Sequence, residues 1–213
     1  MFYANFLINL LVGTSIVASS GVSLGTPISV SDMPNNTPTE EAVTQIKADI
    51  PDVPFYSQFK DISAPEWQKI GCGIASLAML IDFNKPGSVS SVNALLKEGI
   101  AAGAYLEGAG WKHSGLISLA NKYGLEAASY ELSKLDKDSA FAKFEEFLKE
   151  GPVMASIHYK FDPKSTIPHL VVITGISDDT VYYNDPAGKL AGEKISVQDF
   201  LKAWKKRFIV VRA

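Results

Sequence analysis

Residues 71–83 read Gly71-Cys72-Gly73-Ile74-Ala75-Ser76-Leu77-Ala78-Met79-Leu80-Ile81-Asp82-Phe83. Ala75, Ala78, Met79 and Phe83 recur at helical spacing, so the stretch predicts a helix that starts at the Gly-Cys-Gly step and stops before Pro86-Gly87. The single cysteine of the 213-residue chain therefore stands at a helix N-terminus. Unpaired N–H groups and the positive end of the helix dipole favour thiolate over thiol there. Glycine on both sides lets the backbone turn sharply and lets a substrate chain approach the sulfur. A structural cysteine is a small buried hydrophobe that needs none of this, so Cys72 is read as a nucleophile. A lone cysteine also excludes an internal disulfide and a multi-thiolate zinc site.

Upstream, Val53-Pro54-Phe55-Tyr56-Ser57-Gln58 is extended, because proline disfavours helix at the residue before it. Downstream, helices are expected from Ser90 or Ser91, from His113 or Ser114 up to Gly124, and from Asp138 to Glu150 with Gly151-Pro152 as the stop. The period then becomes strand-like over 153–159, 169–176 and 181–184, with Ser177-Asp178-Asp179-Thr180 as a turn. Ser196 and Asp199 form a capping box for a short helix ending near Lys206, and a last strand covers 208–211. Helices followed by an antiparallel sheet make an α+β domain, with an N-terminal helical lobe and a C-terminal sheet lobe.

A cysteine nucleophile needs a base, and the chain has three histidines. His169 opens a strand after Pro168 and a polar loop, at the rim of the sheet. His158 lies inside a strand, on the face opposite Val153, Ala155 and Ile157. His113 begins a helix, where a solvated or capping role is the default. Rim position favours His169; strand alternation leaves His158 open. The base needs an acceptor to fix its ring. Asp185 follows the next strand, but a regular two-residue turn at Asp178-Asp179 pairs it with Val172, on the face opposite His169. A bulge or a ladder break near Asp185-Pro186 is therefore required, and Asn184 competes as the orienting group. Gln58, in the extended segment before the nucleophile, is a candidate donor to an oxyanion alongside the Cys72 N–H. Trp67, Trp111 and Tyr56 are candidates to line a substrate cleft.

Composition narrows the partners. The net charge of −3 and the pI near 5.6 argue against a nucleic-acid surface. Lys202, Lys205, Lys206 and Arg207 cluster where a helix should end, a place that suits cations. Residues 6–18 form an apolar run followed by small residues at Ala18 and Ser20, with no Lys or Arg before Lys47. Residues 1–28 are thus expected to be a signal peptide or an N-terminal anchor, and the chain to be secreted or held at the cell envelope. Residues 29–50 read as a linker and 51–213 as the folded domain. A membrane is a partner only if residues 1–28 persist as that anchor.

Several blocks resemble one family. They are Val53-Pro54-Phe55-Tyr56-Ser57-Gln58, Trp67, Gly71-Cys72-Gly73 with Ser76 and Met79, Gly151-Pro152-Val153, His169 leading Leu170-Val171-Val172-Ile173-Thr174-Gly175, and Tyr183-Asn184-Asp185-Pro186. In this order they are similar to the double-glycine, or bacteriocin-processing, peptidases and their broader relatives. The resemblance implies a papain-like cysteine peptidase fold and a triad of Cys72, His169 and Asp185. It also implies Gln58 at the oxyanion hole, a peptide or protein substrate, and no metal or organic cofactor. Cleavage after paired glycines is not carried over, because those domains are usually fused to a transporter and work inside the cell. Two other readings are a catalytically silent peptide-binding relative and a metal site built from His113, His158 and His169. None of the three histidines stands in an i, i+3 or i, i+4 relation to another.

Overall fold

A computed structural model describes residues 50–108 and 110–213. The expected export segment, 1–28, and all but the last residue of the linker, 29–50, lie outside the described residues. Among the described residues no helix is long and apolar enough to cross a membrane.

The chain runs α1 (Pro65–Gln68), α2 (Cys72–Asn84), α3 (Val92–Ala101), a hairpin of β1 (Tyr105–Leu106) and β2 (Gly110–Trp111), then α4 (His113–Lys122). It continues through β3 (Glu126–Glu131), α5 (Lys137–Lys149), β4 (Val153–His158), β5 (Pro168–Ser177) and β6 (Thr180–Asn184). It ends with β7 (Glu193–Ser196), α6 (Val197–Ala203) and β8 (Trp204–Arg212). Polar side chains start three of the helices. Ser91 accepts from the Ala94 N–H, Asp136 from Ser139 and Ser196 from Asp199, each occupying an amide that has no partner inside the helix.

Six strands form one antiparallel sheet in the order β3-β8-β4-β5-β6-β7. Val153, Ala155, Ile157, Val171 and Phe208 face one side, where α5 and α6 supply Phe144, Leu148 and Phe200. Met154, Leu170, Val172, Ile209 and Val211 face the other, packed with Ile74, Leu77, Leu95 and Leu116 of α2, α3 and α4. The expected apolar stripe on α2 is in fact a complete girdle. Every residue from Gly73 to Ile81 is buried, because α2 lies between the sheet and the other N-terminal helices. Ser76, one turn after Cys72, donates to the Leu170 carbonyl at 3.1 Å and ties this helix to the strand that carries His169.

Two departures from regular pairing position the site. On β5, Gly175 pairs with Tyr182 but Ile173 pairs with Tyr183, so Thr174 is an extra residue. On β8, Arg207 pairs with Ser156 while Trp204 pairs with Ile157, so Lys205 and Lys206 have no partners on β4, and Lys206 takes φ 54°. Of the cationic cluster that the sequence places at a helix end, only Lys202 is there, in the last turn of α6. Helix α6 stops at Ala203, and Lys205 to Arg207 belong to β8.

Candidate active site

Cys72, the first residue of α2, is partly exposed and opens onto a cavity of about 860 Å³ between the N-terminal helices and the sheet. The glycines beside it serve packing rather than turning. Gly71 has an ordinary helical φ of −76°, and a Cβ there would strike Ile62. A Cβ on Gly73 would lie 2.8 Å from the Trp111 ring, which forms part of the cavity wall and donates to the Ile70 carbonyl at 2.7 Å. The first turn of α2, which carries Cys72, is thus packed closely against the Trp111 side chain.

His169 is 4% exposed, and its Nε2–H donates to Asp185 Oδ1 at 2.6 Å. The extra residue at Thr174 makes this contact. With Asn184 opposite Val172, Asp185 falls opposite Val171, on the same face as His169. The required bulge is present, but it sits in mid-strand on β5 rather than beside Pro186. Asp185, 8% exposed, also accepts from the Ala187 N–H at 2.8 Å, so it serves as both turn initiator and ring partner. Asn184 is committed elsewhere: it donates to the Val53 carbonyl and accepts from the Gly192 N–H.

Burial lowers the His169 pKa, but hydrogen bonds and charge from Asp185 and Cys72 outweigh it and raise the value to about 9. Asp185 takes Nε2, which leaves the other ring nitrogen available to Cys72. The stability that this proton contributes is complete below pH 6.5 and is lost as pH rises to about 9. The wild-type Tm is expected to fall through that window, and a His169→Gln protein to lack the fall in a pH series of thermal melts. Tyr159 packs edge-on against the ring at 5.1 Å, at the start of a segment where Lys160 and Phe161 hold positive φ.

Gln58 is 3% exposed and lines the cavity with Cys72. Its Nε2 donates one hydrogen to the Gln68 carbonyl at 2.7 Å and keeps a second, and its backbone N–H donates to the Pro186 carbonyl at 2.8 Å. The extended segment is therefore fixed to the turn that carries Asp185.

Of the three aromatic residues expected in the cleft, only Trp111 is in its wall. Trp67 packs behind it, against Tyr105 and Trp111. Tyr56 points to Asp82, donating at 2.9 Å, and burial followed by that carboxylate pushes its pKa up to about 12.

The histidines do not converge. His158 bonds the Ser165 carbonyl at 2.6 Å and is not in the cavity wall. His113 is neither a cap nor solvated as expected: Lys112 is the N-cap, and the His113 ring lines the cavity 3.2 Å from Ser156 Oγ. Burial and then the Arg207 charge lower its pKa. No group of three or more His, Cys, Asp or Glu among the described residues is placed to hold a metal ion. Tyr159 and Ser156, which carry no mark in the sequence, are also in the cavity wall, as are Lys205 and Arg207, which the sequence places at a helix end.

Known proteins place this arrangement. The chain is similar in structure to a putative C39-like peptidase from Bacillus anthracis, at 20% identity and a TM-score of 0.55, over 76% of this chain and 95% of that one. It is also similar to a double glycine motif protease from an AMS/PCAT transporter, solved in complex with the leader peptide. That match has 23% identity and a TM-score of 0.51, over 75% and 91% of the two chains. A third is the peptidase domain of Streptococcus ComA, at 19% identity and a TM-score of 0.51, over 68% and 92%. No curated protein sequence matches the chain. These likenesses show a papain-like peptidase fold, and the family model matches residues 50–208: the chain belongs to the Peptidase_C39 like family.

Proposed function

We propose that the chain is a cysteine peptidase that hydrolyses a peptide bond through a thioester acyl-enzyme. The observation that carries this reading is the buried His169–Asp185 pair at 2.6 Å, with His169 and Cys72 both in the wall of one open cavity. His169 holds its proton up to about pH 9, so at neutral pH an imidazolium stands ready beside the sulfur that acts as nucleophile. The sulfur attacks the substrate carbonyl, and the oxyanion takes hydrogen bonds from the Cys72 N–H and the free hydrogen on Gln58 Nε2. As the C–N bond breaks, His169 gives its proton to the leaving amine, leaving the acyl group on sulfur as a thioester. His169 then takes a proton from water, whose oxygen attacks the thioester and releases the new carboxylate and the thiolate. Asp185 keeps the ring oriented and offsets its charge.

Mass spectrometry of a mixed peptide library incubated with the protein tests this. Cleavage products are expected with wild type and none with Cys72→Ala. Peptides bound but never cut by wild type would mean a silent, peptide-binding relative. We also propose that residues 1–28 direct export, on the strength of the apolar run and the small residues behind it. N-terminal sequencing of the mature product should find residues to about Ser20 removed; Met1 retained in a membrane fraction would make the segment an anchor.

A further inference from the structure

The cavity extends well past the catalytic group, and its two halves differ in chemistry. Near Cys72 and His169 its rim carries Phe59, Leu106 and Ile167, all exposed. The other half follows one lateral row of the sheet, in which Glu131 pairs with Arg207, Arg207 with Ser156 and Ser156 with Leu170, the neighbour of His169. Directly opposed residues share a face, so this row runs across four strands beneath the cavity.

The cavity as a whole is cationic. The described cavity wall holds Lys69, Lys112, Lys205 and Arg207 against a single acid, Glu131, while the whole chain is net −3. Lys205 and Arg207, two residues apart on β8, both line the cavity, and Lys206 between them takes φ 54° where β8 shifts register against β4. Among the described residues Lys205 Nζ has no acceptor, and Arg207 has only Glu131, at 3.4 Å from Nε, so the far edge of its guanidinium is free. Burial, followed by the Arg207 charge, lowers the Lys205 pKa, as expected of two neighbouring cations without an anion between them. Helix ends and ordinary solvated surface explain neither the register break nor the pairing of two cations over a cavity.

We propose that this half of the cleft is a carboxylate-binding subsite, in which Lys205 and Arg207 hold an acidic group of the bound peptide roughly three residues from the cleaved bond, two strand spacings being about 10 Å. Only the position of the cleaved bond rests on the peptidase reading. Ser156, held by the neutral His113 ring, lies between the two halves and offers a hydroxyl to the intervening peptide backbone. The carboxylate is either a Glu or Asp side chain or a free C-terminus; both present the same two oxygens to the guanidinium fork.

Full-length Cys72→Ala protein, which binds without cutting, is titrated with fluorescein-labelled decapeptides carrying one Glu or one Gln at successive positions, each with a free or an amidated C-terminus. Anisotropy is expected to show about tenfold tighter binding for Glu at one position, or for the free C-terminus, since a charge-assisted contact contributes at about that level. The advantage should shrink as salt rises and should disappear in a protein that also carries Lys205→Gln and Arg207→Gln. Which series shows it identifies the carboxylate. Equal binding of Glu and Gln peptides at every position with either terminus, or discrimination that survives the double substitution, overturns the proposal. A parallel digest with wild type separates the two claims. Cutting without preference for Glu or for a free C-terminus sinks the subsite alone, whereas carboxylate-selective binding without cutting sinks the peptidase reading and keeps the subsite.

Discussion

In a His169→Ala protein, turnover of any peptide cut by wild type is expected to fall by about 10²–10⁴-fold, the range supplied by a positioned acid–base group. The effect is at the high end because, in the proposed mechanism, His169 acts twice, protonating the leaving amine and then activating water. Alkylation of Cys72 by iodoacetamide near neutral pH should slow as well, since the proposed mechanism has His169 assist the sulfur as nucleophile. Two controls make the assignment specific. His158 is bonded to the Ser165 carbonyl outside the cavity wall, so His158→Ala should leave alkylation nearly unchanged. His113 shares the cavity with Cys72, but its pKa is lowered by burial and its ring is engaged by Ser156. A collapse of alkylation in His113→Ala, with none in His169→Ala, would transfer the role of base to His113.

Local chemistry explains which parts of this site were legible in the sequence. The α2 start, the β5 start and the Asp178-Asp179 turn are marked by glycine, proline and turn residues next to clear periodicity, and each lies within a residue or two of its expected place. Strand β3 went unassigned because Glu126 to Glu131 alternates weakly and, at the sheet edge, only Ala127 and Tyr130 are even partly buried. Lys205 and Arg207 were misplaced because nothing marks Ala203 as a helix end; the strand that follows is imposed by pairing with β4 and β3. Tyr159, His113 and Ser156 reach the cavity through tertiary packing, which a linear pattern does not encode. The Thr174 bulge is intermediate. Its existence followed from requiring Asp185 and His169 on one face, while its position depended on how the whole strand pairs.

That bulge gives the second large effect its form. Asp185→Ala is expected to lower kcat/KM, though by less than His169→Ala, because an untethered imidazole still samples the working geometry. The loss should also change the shape of the pH profile. Asp185 is the first of the influences that raise the His169 pKa against the lowering by burial, so without it the ring gives up its proton below pH 9. The alkaline limb of kcat/KM, set by the proton that His169 must donate, is then expected to move to lower pH, and the Tm loss between pH 6.5 and about 9 to move with it. Asp185→Asn should be milder, since its amide oxygen still accepts from Nε2–H. Asn184→Ala supplies the contrast. It leaves the Val53 carbonyl and the Gly192 N–H without their buried partner, costing about 1–3 kcal/mol of stability in urea unfolding, with the alkaline limb unmoved. If the limb moved in Asn184→Ala and stayed in place in Asp185→Ala, Asn184 would be the orienting group, and the face set by the Thr174 bulge would have no bearing on catalysis.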